Sequence, residues 1–211
     1  MVAPGVDPAY QPLPANRVAE FRHRRELPER FLLHVGTLQP RKNIPLLLDA
    51  LAQLGPDAPP LLLVGGKGWL YEDIFDRVMT LGLRDRVHFA GYVDDDELPL
   101  WYNAATALVF PSLYEGFGLP IVEALACGTP VVAADTSSLP EAGGAAARYF
   151  DPADPADLAA KLVEVLGDND LRDRLRADGP IQATRFSWAR AGQETAAVYE
   201  RALGLPPRSA A

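Results

Sequence analysis

The sequence predicts an α/β domain: a parallel sheet of about six strands with helices on both faces. Three observations carry this. Short apolar runs alternate along the chain with amphipathic stretches at helical spacing, the pattern of a strand–helix–strand series. Glycine-rich or charged loops follow the apolar runs, as expected where a parallel sheet opens its carboxyl edge to a ligand. At 211 residues, with 48% hydrophobic and 23% charged side chains, the chain suits one globular domain with short appendages and a large core.

The elements follow in order. Residues 1–30 are polar and carry Pro4, Pro8, Pro12, Pro14 and Pro28, which predicts an extended linker with a short helix over 16–25. The His23-Arg24-Arg25 run on that helix reads as a solvated face. FLLHVG at 31–36 is the first strand. A helix over 44–54 follows, with Pro45 in its first turn and Leu46, Leu47, Ala50, Leu51 and Leu54 at helical spacing. Arg41 and Lys42 sit between that strand and that helix, where two cations can neutralise a diphosphate. Further strands are expected at 60–64, 87–90, 107–110, 129–133 and 148–150. Helices are expected at 71–81, at 95–104 capped by Asp94, from Pro120 to Gly128, at 154–166 capped by Asp154, at 169–177, and at 187–203 capped by Ser187. A short helix or turn begins at Ser137-Ser138. Trp188, Ala191, Thr195, Val198 and Leu203 form the less polar side of the last helix. Asp94 to Glu97 look like a metal cluster, but acidic bias at a helix start explains them. Gly65-Gly66-Lys67-Gly68 lacks the spacing of a P-loop and is open between a structural turn and a ligand contact.

The chain is organised around 106–123. The apolar strand there runs into a Pro- and Gly-rich turn from Pro111 to Gly118, and Pro120 then opens a helix. Free N–H groups and the positive dipole end at such a start attract phosphate, and Gly116 and Gly118 let a ligand approach the backbone. Glu115, before the turn, and Glu123, placed in the first turn of the helix, would repel phosphate, so they are expected to accept hydrogen bonds from hydroxyls. A nucleotide sugar offers both a diphosphate and hydroxyls.

Composition excludes other classes. The net charge of −8 argues against nucleic-acid binding. The single cysteine, Cys127, rules out an internal disulfide and a zinc–cysteine cluster, and reads as a small buried hydrophobe. His23, His34 and His88 are isolated, with no metal-ligand spacing, and His34 is expected to be packed and hydrogen-bonded within its strand. No apolar run is long enough to span a membrane and no apolar leader opens the chain, so a cytoplasmic location is expected.

The string PSLYEGFGLPIVEALACGTPVVA, with seven residues between Glu115 and Glu123, resembles the signature of the family-4 retaining glycosyltransferases of the GT-B fold, the glycosyl transferases group 1. VAPGVD near the start is similar to the stretch that enters the second domain of such enzymes. VGTLQPRKN is similar to the family's basic loop, except that many members place the arginine directly after the glycine, where this chain has Thr37. The resemblance covers about residues 1–203. It implies a Rossmann-like, three-layer C-terminal half of a GT-B enzyme: linker 1–30, nucleotide-sugar-binding domain 31–185, crossing helix 186–205 and frayed tail 206–211.

By the same resemblance, Gly36, Arg41 and Lys42 hold the donor diphosphate, helped by the backbone of Phe117, Gly118 and Leu119. Tyr92 and Val93 of the GYV loop lie against the base. Glu123 holds the ribose, and Glu115 faces the sugar as nucleophile or stabiliser. Glu115, Arg41 and Lys42 form the catalytic set, with no metal and no cofactor. The donor is a UDP-, GDP-, ADP- or dTDP-sugar, and the acceptor binds an N-terminal domain of the same enzyme. This chain alone should therefore bind donor and transfer little or nothing, and peripheral membrane association of the full enzyme stays open. A GT-B nucleotide-sugar epimerase and a non-catalytic nucleotide-binding module are the alternatives; the EGFGLPIVEA string and the Arg-Lys-Asn loop favour the transferase.

Overall fold

Four of the apolar runs become strands in which every residue is buried: β1 (Leu32–Val35), β2 (Leu61–Val64), β4 (Ala107–Phe110) and β5 (Val131–Ala134). Burial on both faces is what a continuous apolar run demands of a parallel sheet. The remaining two, β3 (Val87–Gly91) and β6 (Ala147–Phe150), keep partly exposed residues and lie at the two edges. The computed structural model describes residues 2–204. Its sheet runs β3-β2-β1-β4-β5-β6, every pairing parallel. Leu32 stands opposite Leu61 on one side and Ala107 on the other.

That order places the switch point between β1 and β4. Connections leave these two neighbours in opposite directions, so their carboxyl ends open a crevice, the usual ligand position in such sheets. The Arg41-Lys42 loop follows β1 and the 111–118 turn follows β4, so the order brings the two candidate segments face to face.

Helices pack in two groups. On one side α2 (Ile44–Gln53) packs with α3 (Glu72–Thr80) and α7 (Pro155–Gly167); on the other, α1 (Ala15–Arg24) packs with α4 (Leu98–Ala104), and α5 (Leu119–Ala126) with α4 and α8 (Asn169–Ala183). Asp154 caps α7 as expected, its Oδ1 accepting the Ala156 N–H at 2.8 Å. A short α6 (Leu139–Gly143) follows Ser138.

Two elements depart from the sequence expectation. First, α4 starts at Leu98, not at residue 95. Asp94 caps no helix; its carbonyl accepts the Glu97 N–H at 3.0 Å and closes a turn, and Pro99 opens the helix instead. Asp94 O also accepts the Leu98 N–H at 3.2 Å, so Asp95 and Asp96 lie in the turn that leads into α4. Second, α8 continues past residue 177 to Ala183, straight through Pro180. An interior proline costs about 3 kcal/mol. Packing offsets it: Leu171, Leu175, Gly179 and Ala183 form a buried stripe, and a Cβ on Gly179 would stand 2.8 Å from the Leu125 carbonyl oxygen of α5. The last helix, α9 (Trp188–Ala202), forms where expected with Ser187 as its cap, and buries only Ala191. Trp188, Val198 and Leu203 of its less polar side are exposed, although that pattern suits a packed face.

The N-terminal linker is bound to the domain: Val6 N–H donates to Phe186 O at 3.1 Å, and Leu13 N–H to Asn103 Oδ1 at 2.8 Å. The 206–211 tail and Leu205 of the crossing-helix expectation lie outside the described residues. Among the described residues no helix is long and apolar enough to cross a membrane.

Candidate functional site

The site grows from two strand ends. β1 runs out at Val35, and Gly36 leaves room beside it: a Cβ there would stand 3.1 Å from Lys42 Cε and 3.3 Å from its Nζ. The chain then makes a single 3-10 turn, Pro40–Lys42, and passes through Asn43 in the left-handed conformation into α2. That turn folds Lys42 back under the loop, where it is buried. An ammonium removed from water needs a partner, because the uncompensated penalty is several kcal/mol. Glu115 supplies it.

Glu115 arrives from the turn after β4. Its Oε1 lies 2.6 Å from Lys42 Nζ and its Oε2 2.7 Å from Arg41 Nη1. Lys42 Nζ also stands 4.9 Å from the centroid of the Phe110 ring. The loops are clipped together by backbone: Leu113 N–H donates to Arg41 O at 2.9 Å, and Arg41 Nη1 donates to Tyr114 O. Burial alone would raise the Glu115 pKa, but hydrogen bonds from Lys42 and Arg41 outweigh it and hold the carboxyl below its ordinary value. Glu115 is therefore an ionised carboxylate shared by two cations.

Sequence reasoning missed the support beneath this carboxylate. Ser137 Oγ accepts the Glu115 N–H at 3.1 Å, and Ser138 Oγ lies 3.0 Å from Glu115 O and 2.9 Å from Phe117 O. Both serines follow β5, the strand beside β4. The signal was present: two small hydroxyl residues directly after a buried strand at the ligand edge of the sheet.

The turn closes at Gly118, whose φ of +108° suits glycine and whose Cβ would stand 3.0 Å from Leu139 Cδ2. Pro120 occupies the first turn of α5, as the sequence implied. Glu123 does not: the helix begins at Leu119, so Glu123 stands one turn in, and no acidic residue occupies the first turn. Its Oε2 accepts the Tyr102 hydroxyl at 2.8 Å. It lines a cavity of about 530 Å³ with Asp7, Tyr10, Asp95, Asp96 and Leu119. Burial raises its pKa, Tyr102 lowers it in part, and Asp95 raises it again.

The expected residues thus fall into three places. Gly36, Arg41, Lys42 and Glu115 converge at the switch point, with Phe117, Gly118 and Leu119 on the same turn as Glu115. Glu123 faces the second cavity. Tyr92 and Val93 line a third, of about 380 Å³, beyond β3, with the Tyr92 side chain exposed. Lys67 turns away: its Nζ lies over the Tyr71 and Phe75 rings at 5.2 and 5.5 Å. Its glycine turn clamps the neighbouring loop, Leu38 donating to Gly66 O at 2.9 Å and Gly68 donating to Leu38 O at 3.0 Å. His34 is packed as expected, with Nδ1 3.1 Å from Val109 O and burial lowering its pKa to about 4. Cys127 is buried, with a pKa raised by that burial to about 12, which removes it as a nucleophile.

A six-stranded parallel sheet in the order β3-β2-β1-β4-β5-β6, with its switch point between β1 and β4, has the architecture of the C-terminal domain of the GT-B fold. The family model for glycosyl transferases group 1 matches residues 17–181, and the chain belongs to that family. The O-antigen chain mannosyltransferase B of Escherichia coli is 40% identical over 174 residues, covering 81% of this chain and 45% of that protein. The Anabaena protein HepE, crystallised with UDP and glucose, superposes with a TM-score of 0.83 at 26% identity, over 93% of this chain and 55% of that one. The C-terminal domain of the Francisella tularensis glycosyl transferase LpcC shares the fold, with a TM-score of 0.75 at 24% identity, over 86% of this chain and 97% of that domain. The chain spans about half the length of the Escherichia coli mannosyltransferase and of HepE.

Proposed function

We propose that this chain is the donor-binding half of a retaining, metal-independent glycosyltransferase. It would take a nucleoside diphosphate sugar and present it to an acceptor held by a preceding domain. The observation that carries this is the Arg41–Glu115–Lys42 cluster at the switch point. Two cations sit there beside a helix start, positioned to neutralise a diphosphate as it leaves, and preorganised charge of this kind stabilises a departing group without a metal. Backbone N–H groups from Phe117 to Leu119 add to the same anion site. Glu123, a turn farther into α5, is assigned to the ribose hydroxyls, and Tyr92 and Val93 to the base. The complexes of HepE with UDP and with UDP-glucose support the ligand class.

Glu115 is assigned an electrostatic role. A carboxylate with both oxygens engaged by cations is a poor nucleophile, but it holds negative charge next to the carbon where an oxocarbenium-like charge develops. The acceptor site belongs to the portion of the relatives that this chain does not span, and the exposed face of α9 is the surface assigned to that portion. The single buried cysteine suits a reducing cytoplasm.

The test is calorimetric titration with UDP, GDP, ADP and dTDP in EDTA. Tight binding of one of them is expected, with no glycosyl transfer by this chain alone. Binding of none, by this chain and by its fusion to the preceding half, overturns the proposal.

A further inference from the structure

Glu123 is held by a residue that packing alone does not explain. Tyr102 of α4 is wholly buried, and its ring meets the Tyr10 ring edge-on at 5.9 Å. A phenylalanine would fill the same space. The hydroxyl has one partner, Glu123 Oε2, at 2.8 Å. The other end of the residue is anchored too: Thr129 Oγ1 donates to Tyr102 O at 2.7 Å. Among the described residues, no hydrogen bond reaches the second carboxylate oxygen of Glu123.

From this geometry we infer that Tyr102 is a positioning residue for the donor: its hydroxyl fixes one oxygen of Glu123 and presents the other to the cavity, where it accepts from a vicinal diol. The inference rests on the ribose role proposed above for Glu123. The chemistry is consistent on both sides of the contact. Burial and the Glu123 charge raise the Tyr102 pKa well above its ordinary value, so the phenol stays a donor at any working pH. Tyr102 from α4, Asp95 from the turn before it, Tyr10 from the linker and Cys127 at the C-terminal cap of α5 act on or are acted on by Glu123, and Asp7 and Asp96 line the same cavity. Of these, Tyr102 favours the ionised carboxylate, while Asp95 opposes it. Removing the hydroxyl frees the carboxylate to rotate and raises its pKa further, so binding of a diol is lost at a higher pH as the solution is acidified.

The test uses wild type, Tyr102→Phe, Glu123→Gln and the double variant. Each is titrated from about pH 5 to pH 8 with UDP and GDP beside their 2′,3′-dideoxy counterparts. Tyr102→Phe should weaken the ribose nucleotide about tenfold, the scale of one hydrogen bond to a charged group. It should move the acid limb of binding upward, leave the dideoxy nucleotide unaffected, and add nothing once Glu123 is Gln. Equal loss on both nucleotides, or an undiminished loss in the Glu123→Gln background, would reduce Tyr102 to a packing residue and overturn the inference. Carbon-13 titration of the Glu123 carboxyl in the ligand-free protein separates the two proposals. If no nucleotide binds wild type or its fusion to the preceding half, the donor reading falls and the ribose role with it; if nucleotide binds but the Glu123 midpoint is unmoved by Tyr102→Phe, only the positioning role falls. Should Tyr102→Phe fail to fold, Thr129→Val, which releases the Tyr102 carbonyl, is expected to shift the same readouts in the same direction by less, and no shift overturns the inference.

Discussion

Glu115 and Glu123 are the same side chain on the same turn–helix segment, and the fold sets them in opposite surroundings. Glu115 is pulled below its ordinary pKa by Lys42 and Arg41; Glu123 is pushed above it by burial. Glu115 hangs on a loop whose neighbours after β1 are basic, while Glu123 points from the helix into a cavity shared with Asp7, Asp95 and Asp96. The surroundings of Glu115 thus suit an anion and those of Glu123 suit hydroxyl donors. The difference teaches that spacing alone does not give a carboxylate its role; the partner brought in by the adjacent strand does.

The comparison breaks hardest at Glu115. Glu115→Ala leaves Lys42 buried without its counter-charge and should destabilise the domain by about 3 kcal/mol, the scale of a broken buried pair. Glu123→Gln keeps an acceptor for Tyr102 and should cost about 1 kcal/mol or less. Urea unfolding measures both, and equal costs would erase the distinction. Acid sharpens it. Glu115, with a depressed folded pKa, contributes stability above its unfolded value near 4.5 that is lost as pH falls through the folded value. Glu123, with a raised folded pKa, does the reverse: its penalty is present above the folded value and relieved as pH falls toward 4.5. Glu115→Gln should therefore flatten the acid loss of stability, and Glu123→Gln should remove the relief that wild type shows as pH falls toward 4.5. The smallest effect is expected at Arg41, whose side chain is more than a third exposed. Arg41→Ala should cost roughly 0 to 1 kcal/mol of stability while still weakening nucleoside diphosphate binding.

Much of this was legible in the sequence, and the reasons are physical. Runs such as Leu61-Leu62-Leu63-Val64 admit only a strand buried on both faces, and Gly118 with Pro120 fixes where α5 begins. The joining of Arg41 and Lys42 to Glu115 followed once β1 and β4 were neighbours, a fact of topology that no local pattern states. What was hidden depended on tertiary context. Pro180 reads as a helix end until Gly179 is seen packed against Leu125. Asp94 reads as a helix cap until Pro99 moves that start to Leu98. Nothing local singles out Tyr102, since its hydroxyl partner lies 21 residues away on another helix. The last helix is amphipathic in the sequence, and in the fold Trp188, Val198 and Leu203 of its less polar side stay exposed.

The most direct measurement compares a nucleoside diphosphate with its nucleoside, by calorimetry, on wild type and on Lys42→Ala. If Arg41 and Lys42 hold the diphosphate, Lys42→Ala weakens the diphosphate by about 2 kcal/mol or more, the scale of a lost buried charge partner, and leaves the nucleoside nearly unchanged. Equal loss of both ligands would contradict the assignment of this cluster to the phosphates.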